Sequence, residues 1–260
     1  PFCYMVSIPD PHGPFHTRAP YSDMYKPEDM PLPDTRLTDD HLPAWAKAAR
    51  SAPEDDRLRQ AKAWYCGEVK LIDDCVGKIL DALRQKGILD QTIVVFTSDH
   101  GEYMGEHGLM GKNQLYETAH RVPMMIRWPE KIKAGTRVEQ CVGSVDFHPT
   151  ILGLMGVPCC GREQGQDASA LLQDPEANWS DLAYIHHASL NRAGIFTPEY
   201  ELAYIRDNEH ILFNRQEDPD QVRNLFGNPD YRGVIDNLTE QVVAHNEAVE
   251  APATEWLKAM

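Results

Sequence analysis

The sequence predicts an α/β fold, with a mostly parallel sheet sandwiched by helices, followed by a small α+β subdomain with a short antiparallel sheet. Two continuous apolar runs, residues 2–8 and 92–97, flank one long amphipathic stretch. Such runs are typical of strands covered on both faces, and strand, helix, strand is the crossover unit of a parallel sheet. From about Leu182, short strand-like segments between turn residues replace this pattern. We therefore expect domains at 1–178 and 179–260.

The stretch from Glu54 to Lys86 is the clearest helix, because its apolar residues recur at steps of three and four. Gly87 stands where a helix stop belongs. Between this helix and the first apolar run lies a segment from Pro9 to about Pro43 with eight prolines, which predicts a loop.

The remaining elements are read from shorter patterns. Asp146 and Gly156 predict the start and the end of a further helix that runs to about Met155. The other expected elements are strands at 122–128, 137–142, 182–186, 201–206 and 210–214, and a helix at 234–249.

Composition excludes some classes of function. The formal net charge of −15 argues against a nucleic-acid partner, since phosphate binding needs a basic face. No apolar run approaches the ~20 residues of a membrane-spanning helix. The six cysteines follow no C-x-x-C spacing, so we do not expect disulfides, while compartment and oligomeric state stay open. The chain opens inside an apolar run without an initiator Met, so we expect missing upstream sequence.

The sharpest chemical signal is the pair Asp99 and His100, directly after the 92–97 run. Ligands bind at the carboxyl ends of strands in open α/β sheets, and this pair offers one carboxylate and one imidazole to a divalent cation. Gly101 allows a sharp backbone turn behind them. The alternative is that Asp99 caps a helix starting at Gly101 and that His100 only packs.

A glycine-rich stretch continues to Lys112. Such a loop can place an ammonium beside the same strand end, where it would bind an oxyanion and stabilise charge on a leaving oxygen. His107, within this stretch, is either a partner of the metal and substrate groups or a simple loop residue.

A second candidate, His12, follows the first apolar run between Pro11 and Gly13-Pro14. An imidazole there can hydrogen-bond an anionic substrate or transfer a proton. The alternative is an ordinary histidine of a surface loop.

These motifs resemble the sulfatase family of the alkaline phosphatase superfamily. The string S-D-H-G-E-x-x-G-E-H-G-x-x-G-K at 98–112 is similar to that family's second metal-binding segment, and P-F-x-x-x-V-x-x-x-D-P-H-x-P-F at 1–15 to its strand with a substrate-facing histidine. Similar segments follow in order, at 116–117, 121–129, 145–152, 211–214 and 218–225.

The resemblance implies roles for individual residues. Asp99 and His100 match two metal ligands, Lys112 the lysine that contacts the sulfate, and His12 the histidine near the leaving group. It also implies a divalent metal, with Ca²⁺ expected, and a formylglycine nucleophile made from Cys or Ser in a C/S-x-P-x-R motif. That motif is absent here, so this chain carries no nucleophile, and we expect it, with the rest of the metal site, in a missing N-terminal portion.

The expected function of the intact protein is hydrolysis of a small-molecule or sugar sulfate ester, with this chain alone inactive. Two alternatives remain. One is a phosphodiesterase or phosphonate monoester hydrolase of the same superfamily, for which the imidazole ligand would favour Mn²⁺ or Zn²⁺. The other is a non-catalytic binding domain.

Overall fold

The computed structural model describes residues 2–37, 42–187, 191–251 and 253–259. The chain divides into two compact units, the first formed by residues 1–37 and 49–128, the second by residues 38–48 and 129–260. The domains expected at 1–178 and 179–260 remain a prediction.

A single long helix dominates the first unit. Helix α2 runs from Asp55 to Gln85, within one residue of the predicted range at each end. Acidic Asp55 and Asp56 occupy its first turn, where the positive end of the helix dipole favours them. Gly87 adopts a φ of 70° just beyond the end, which stops the helix as predicted. Its buried residues are Leu58, Ala63, Gly67, Glu68 and Leu71.

Two short strands accompany this helix. Strand β1 (Val94–Thr97) pairs with β2 (Met124–Arg127) in antiparallel register, with Thr97 opposite Met124. Both were predicted as strands, whereas the crossover pattern paired the 92–97 run in parallel with the 2–8 run and gave no partner for 122–128. Apolar runs identify strands without naming the partner, so the pairing direction is not readable from them.

Two predicted strands are wrong. Residues 2–8 have no regular secondary structure, residues 2–7 are exposed, and the segment has no strand partner in the part of the chain that the structure describes. An apolar run becomes a strand only when a neighbouring backbone takes its hydrogen bonds. Residues 137–142 are also irregular. There, a carboxylate takes one of the backbone N–H groups, since Cys141 donates to Asp181 Oδ1 at 2.7 Å.

The second unit contains the short antiparallel sheet that the sequence predicts. Its order is β3-β4-β5-β6, all antiparallel. The bounds are Ala183–His187, Arg192–Phe196, Tyr200–Ile205 and Ile211–Asn214. Helix α6 (Arg232–Ala248) packs on this sheet over a core that includes Ile195, Leu202, Leu212, Leu238 and Val242.

Strand β4 was not predicted. It contains Gly194, which weakens a strand pattern. The structure supplies the reason for the glycine: a Cβ there would lie 2.2 Å from the Leu202 carbonyl oxygen of β5. The close approach of the two backbones therefore requires a residue without a side chain.

The other helices are short, except for α4 and α6. Helix α4 ends at Gly156 with φ 70°, as predicted. The bounds are α1 Ala44–Ala48, α3 Glu117–His120, α4 Phe147–Met155, α5 Ser169–Gln173, α6 Arg232–Ala248 and α7 Thr254–Lys258. Across the described ranges, no helix combines the length and the apolar character needed to cross a bilayer. All six cysteines are free thiols, and Cys3 is exposed rather than buried in a strand.

Candidate functional site

The predicted metal ligands lie just beyond the carboxyl end of β1. The side chain of Asp99 is 86% exposed, and its Oδ1 accepts a hydrogen bond from the His100 backbone N–H at 2.9 Å. Residues 101–103 are not helical, so Asp99 does not cap a helix that starts at Gly101. The pair is thus presented at a strand end, with the carboxylate open to a ligand.

The His100 ring is held in one tautomer. Its Nδ1 lies 2.7 Å from the Gly101 carbonyl oxygen, and because a carbonyl only accepts, Nδ1 carries the proton. The lone pair is therefore on Nε2, which lies 3.7 Å from Asp99 Oδ2. Two ligands each about 2.0–2.4 Å from one cation are separated by a distance of this size.

The charge of Asp99 also suits a cation. Partial burial raises the pKa of the Asp99 carboxyl. The hydrogen bonds from the backbone N–H groups of His100 and Asp99 and from the Ser98 hydroxyl, together with the charge of the His100 ring when it is protonated, outweigh this effect and hold the pKa below its usual range. Asp99 is ionised at neutral pH and offers a full negative charge.

His12 and Lys112 meet beside this pair. The Lys112 ammonium donates to His12 Nε2 over 2.5 Å, although the two residues are 100 positions apart in sequence. His12 Nδ1 donates to the Gly13 carbonyl oxygen at 2.8 Å, which leaves Nε2 as the acceptor. The His12 ring lies edge-on to His100, with centroids 6.2 Å apart at 69°. All four predicted side chains therefore lie together within the first unit.

A close backbone contact positions the ligand segment. Gly101 donates to the Ala119 carbonyl oxygen at 2.8 Å, and a Cβ on Gly101 would lie 2.0 Å from the Thr118 carbonyl oxygen. Helix α3 therefore packs directly on the backbone next to His100. The sequence identified this glycine as a turn residue, but its position against α3 is a separate, steric requirement.

Glu102 acts within the same loop, although sequence reasoning gave it no role. Its Oε1 accepts a hydrogen bond from the Gly111 N–H, next to Lys112, and another from the Met104 N–H at 3.4 Å. The sequence offered little indication of this role, because the bond to Gly111 joins residues nine positions apart across a loop without periodicity.

His107 lies in the interior, which argues against the predicted contact with substrate. It is 2% exposed, and its ring stacks on Tyr116 with centroids 3.9 Å apart at 19°. Burial and then the Arg50 charge lower the pKa of His107 to about 4, so the ring is neutral at neutral pH. Its backbone is left-handed, with a φ of 53°.

Within the residues that the structure describes, no group of three or more His, Cys, Asp or Glu side chains is placed to hold a metal ion. The role of Asp99 and His100 as metal ligands therefore stays a prediction.

A comparison with known families identifies the chain. Residues 1–157, more than half of the 260, match the family model described as Sulfatase. The chain belongs to the sulfatase family. Residues 105–248 of this sulfatase chain also match the family described as N-sulphoglucosamine sulphohydrolase, C-terminal.

Curated relatives agree with this family assignment. The sulfatase chain is 34% identical over 179 residues to an N-acetylglucosamine-6-O-sulfatase of Bacteroides thetaiotaomicron, covering 64% of the chain and 32% of the relative. The chain spans about a third to just over half the length of the first curated relatives that it matches.

Solved structures confirm the α/β fold class. A protein solved in complex with its substrate D-glucosamine-2-N,6-O-disulfate has a TM-score of 0.72 and 28% identity, covering 79% of the chain and 44% of that protein. A phosphonate monoester hydrolase from Silicibacter pomeroyi has a TM-score of 0.78 and 25% identity, and the match covers 94% of the chain and 55% of that protein. Membership of the alkaline phosphatase superfamily, predicted from the motifs, is thereby confirmed.

Proposed function

We propose that the intact protein hydrolyses a sulfate monoester, R–O–SO₃⁻, to an alcohol and sulfate. One observation carries this proposal: the Lys112 ammonium lies against His12, beside the Asp99–His100 pair. A cation held by that pair and the ammonium would present two positive charges to one small anion. This combination suits an oxyanion whose charge grows on a leaving oxygen.

Asp99 and His100 fit a divalent metal, because the carboxylate is ionised and the free lone pair on His100 Nε2 lies beside it. We propose Ca²⁺, with Mn²⁺ or Zn²⁺ if the substrate is a phosphorus ester. When bound, the metal would act as a Lewis acid toward an ester oxygen. These two residues would hold it together with further ligands outside this chain.

Lys112 and His12 form a proton-sharing pair in this proposal. His12 Nε2 accepts from the ammonium, so the proton that faces the site is on Lys112. Lys112 would bind the oxyanion. As the S–O bond to the leaving group breaks, the leaving oxygen would take a proton from His12 Nε2, which His12 has received from the Lys112 ammonium, and the Lys112 amine would then recover a proton from solvent. The nucleophile, a formylglycine made from a C/S-x-P-x-R motif, would come from sequence outside this chain. We therefore propose that the 260-residue chain alone is inactive.

We propose a sugar sulfate as the substrate class. The supporting observations are the N-acetylglucosamine-6-O-sulfatase relative and the structural neighbour solved with a glucosamine disulfate. A phosphonate monoester or phosphodiester remains the second candidate, supported by the likeness to a phosphonate monoester hydrolase.

The test compares the intact, metal-loaded protein on an aryl sulfate, an aryl phosphonate monoester and a glucosamine 6-sulfate. We expect the highest kcat/KM on a sulfate ester. Lys112→Ala should lower it about 10²–10³-fold, whereas Lys78→Ala, which removes an exposed ammonium of α2, should not. Faster turnover of the phosphonate would favour the second candidate. No turnover of any ester would favour a non-catalytic binding domain.

A further inference from the structure

We propose that Tyr103 is a positioning residue that holds Lys112 at a fixed place relative to the Asp99–His100 pair. The inference rests on the proposed function only where it gives Lys112 a role toward the substrate. The position of Lys112 itself is a separate, structural matter.

Tyr103 binds the chain on both sides of Lys112. Its hydroxyl donates to the Gln114 carbonyl oxygen at 2.7 Å and accepts from the Gln114 N–H at 2.8 Å. Its backbone N–H donates to the Gly111 carbonyl oxygen at 3.0 Å. One residue therefore fixes the position just before Lys112 and the position two residues after it.

The segment held by these bonds makes a sharp turn. Asn113, next to Lys112, has a φ of 86°, in the left-handed region that most side-chain-bearing residues avoid and that Asn adopts more readily than others. Surrounding contacts help to hold such a conformation. The double hydrogen bond to Gln114, one residue further on, is such a contact.

The Tyr103 ring is itself firmly seated. It is 1% exposed and packs edge-on against Tyr116, with centroids 6.5 Å apart at 85°. Tyr116 in turn stacks on His107. The hydroxyl thus projects from a buried aromatic cluster, so its position is set by packing rather than by solvent.

The short separation between His100 and Tyr103 in the sequence sets the distance between the Asp99–His100 pair and the Lys112 loop. Tyr103 lies three residues after His100, so the same short segment carries the metal-ligand pair and grips the Lys112 loop. A displacement of about 1 Å at a catalytic group can cost about 100-fold in rate. Loss of the hydroxyl should therefore move the ammonium away from His12 while Asp99 and His100 stay in place.

The test compares Tyr103→Phe with a matched control, Tyr204→Phe. Tyr204 is 6% exposed and its hydroxyl bonds Thr239 Oγ1 at 2.6 Å, so both variants remove one buried hydroxyl. The first readout is the ¹⁵N NMR spectrum of the His12 ring in the full chain. We expect Tyr103→Phe to change the His12 Nε2 signal as the Lys112 hydrogen bond is lost, and Tyr204→Phe to leave it unchanged.

The second readout is turnover of a sulfate ester by the intact protein. Tyr103→Phe should lower kcat about 10-fold or more with metal affinity unchanged, and Tyr204→Phe should not. An unchanged His12 signal in Tyr103→Phe, or equal changes in both variants, would overturn the inference. Should the wild type turn over no ester, the proposed function fails, whereas the NMR comparison still decides the role of Tyr103.

If Tyr103→Phe does not fold, hydrogen exchange of the wild type gives an independent answer. The Gln114 amide, bonded to the buried hydroxyl, should be protected about 100-fold or more. Exchange of this amide at the unprotected rate would refute the proposed role of Tyr103.

Discussion

Replacing Gly101 by alanine should damage the site through a steric clash. An added Cβ would lie 2.0 Å from the Thr118 carbonyl oxygen and 3.1 Å from the Ala119 Cα, both backbone atoms that cannot rotate away. Relief requires a shift of about 1.4 Å between α3 and the segment next to His100, since ordinary contacts begin near ~3.4 Å. Because the Gly101 backbone is not left-handed, the cost is packing and not torsion.

The magnitude follows from the size of the clash. Overpacking of this kind destabilises proteins by about 1–3 kcal/mol, which lowers the Tm by about 2–4 °C for each kcal/mol in a chain of this size. Calorimetry of Gly101→Ala would measure it, and turnover by the intact protein should fall about 100-fold as His100 is displaced.

The control is Gly77→Ala in α2, where an added Cβ meets nothing within 4 Å. Alanine in a helix interior should instead stabilise the protein by about 0.5–1 kcal/mol. If Gly101→Ala proved as stable as Gly77→Ala, the close packing of α3 on the site would be refuted.

Three further outcomes are expected. Because burial lowers the pKa of His107 from 6.5 to about 4, the unfolded chain binds more protons in that window, and stability falls as the pH drops through it. His107→Asn should remove up to about 3 kcal/mol of this loss, and an unaltered pH slope in a denaturation series would contradict it. Burial, then the Asp10 charge, raises the pKa of Glu68, so the wild type loses stability as the pH rises. The free energy of unfolding of Glu68→Gln, relative to that of the wild type, should therefore increase from acid to neutral pH. A difference that does not change with pH would argue against a carboxyl whose ionisation is disfavoured by burial. Calorimetric titration of the 260-residue chain with Ca²⁺ should show no micromolar binding, because Asp99 and His100 supply two ligands only; micromolar affinity would contradict the need for ligands outside this chain.

Local patterns explain which elements were predictable. Helix α2 was located to within one residue because its apolar spacing and Gly87 are both properties of adjacent sequence. Pairing is not local: the run at 2–8 looks like a strand, but nothing in it names a partner. Strand β4 is a strand without a clear strand pattern. Gly194 weakens that pattern, but the close approach of β5 requires a glycine at this position.

The candidate site divides along the same line. Asp99, His100 and Lys112 share one short segment, and His12 was a candidate from its position after the first apolar run, so their grouping was predictable. The buried contacts that hold these residues in place were not predictable. The stack of His107 on Tyr116 and the Tyr103 bonds to Gln114 depend on how the glycine loop folds back on itself. No periodicity or spacing encodes that turn.

The most direct test of the proposed metal site is a crystal structure of the intact protein grown with Mn²⁺, whose anomalous scattering locates the cation. We expect a peak about 2.0–2.4 Å from an Asp99 carboxylate oxygen and His100 Nε2, with the Lys112 ammonium facing the same cavity. A bound cation elsewhere, with Asp99 and His100 left in solvent, would contradict the assignment of this site.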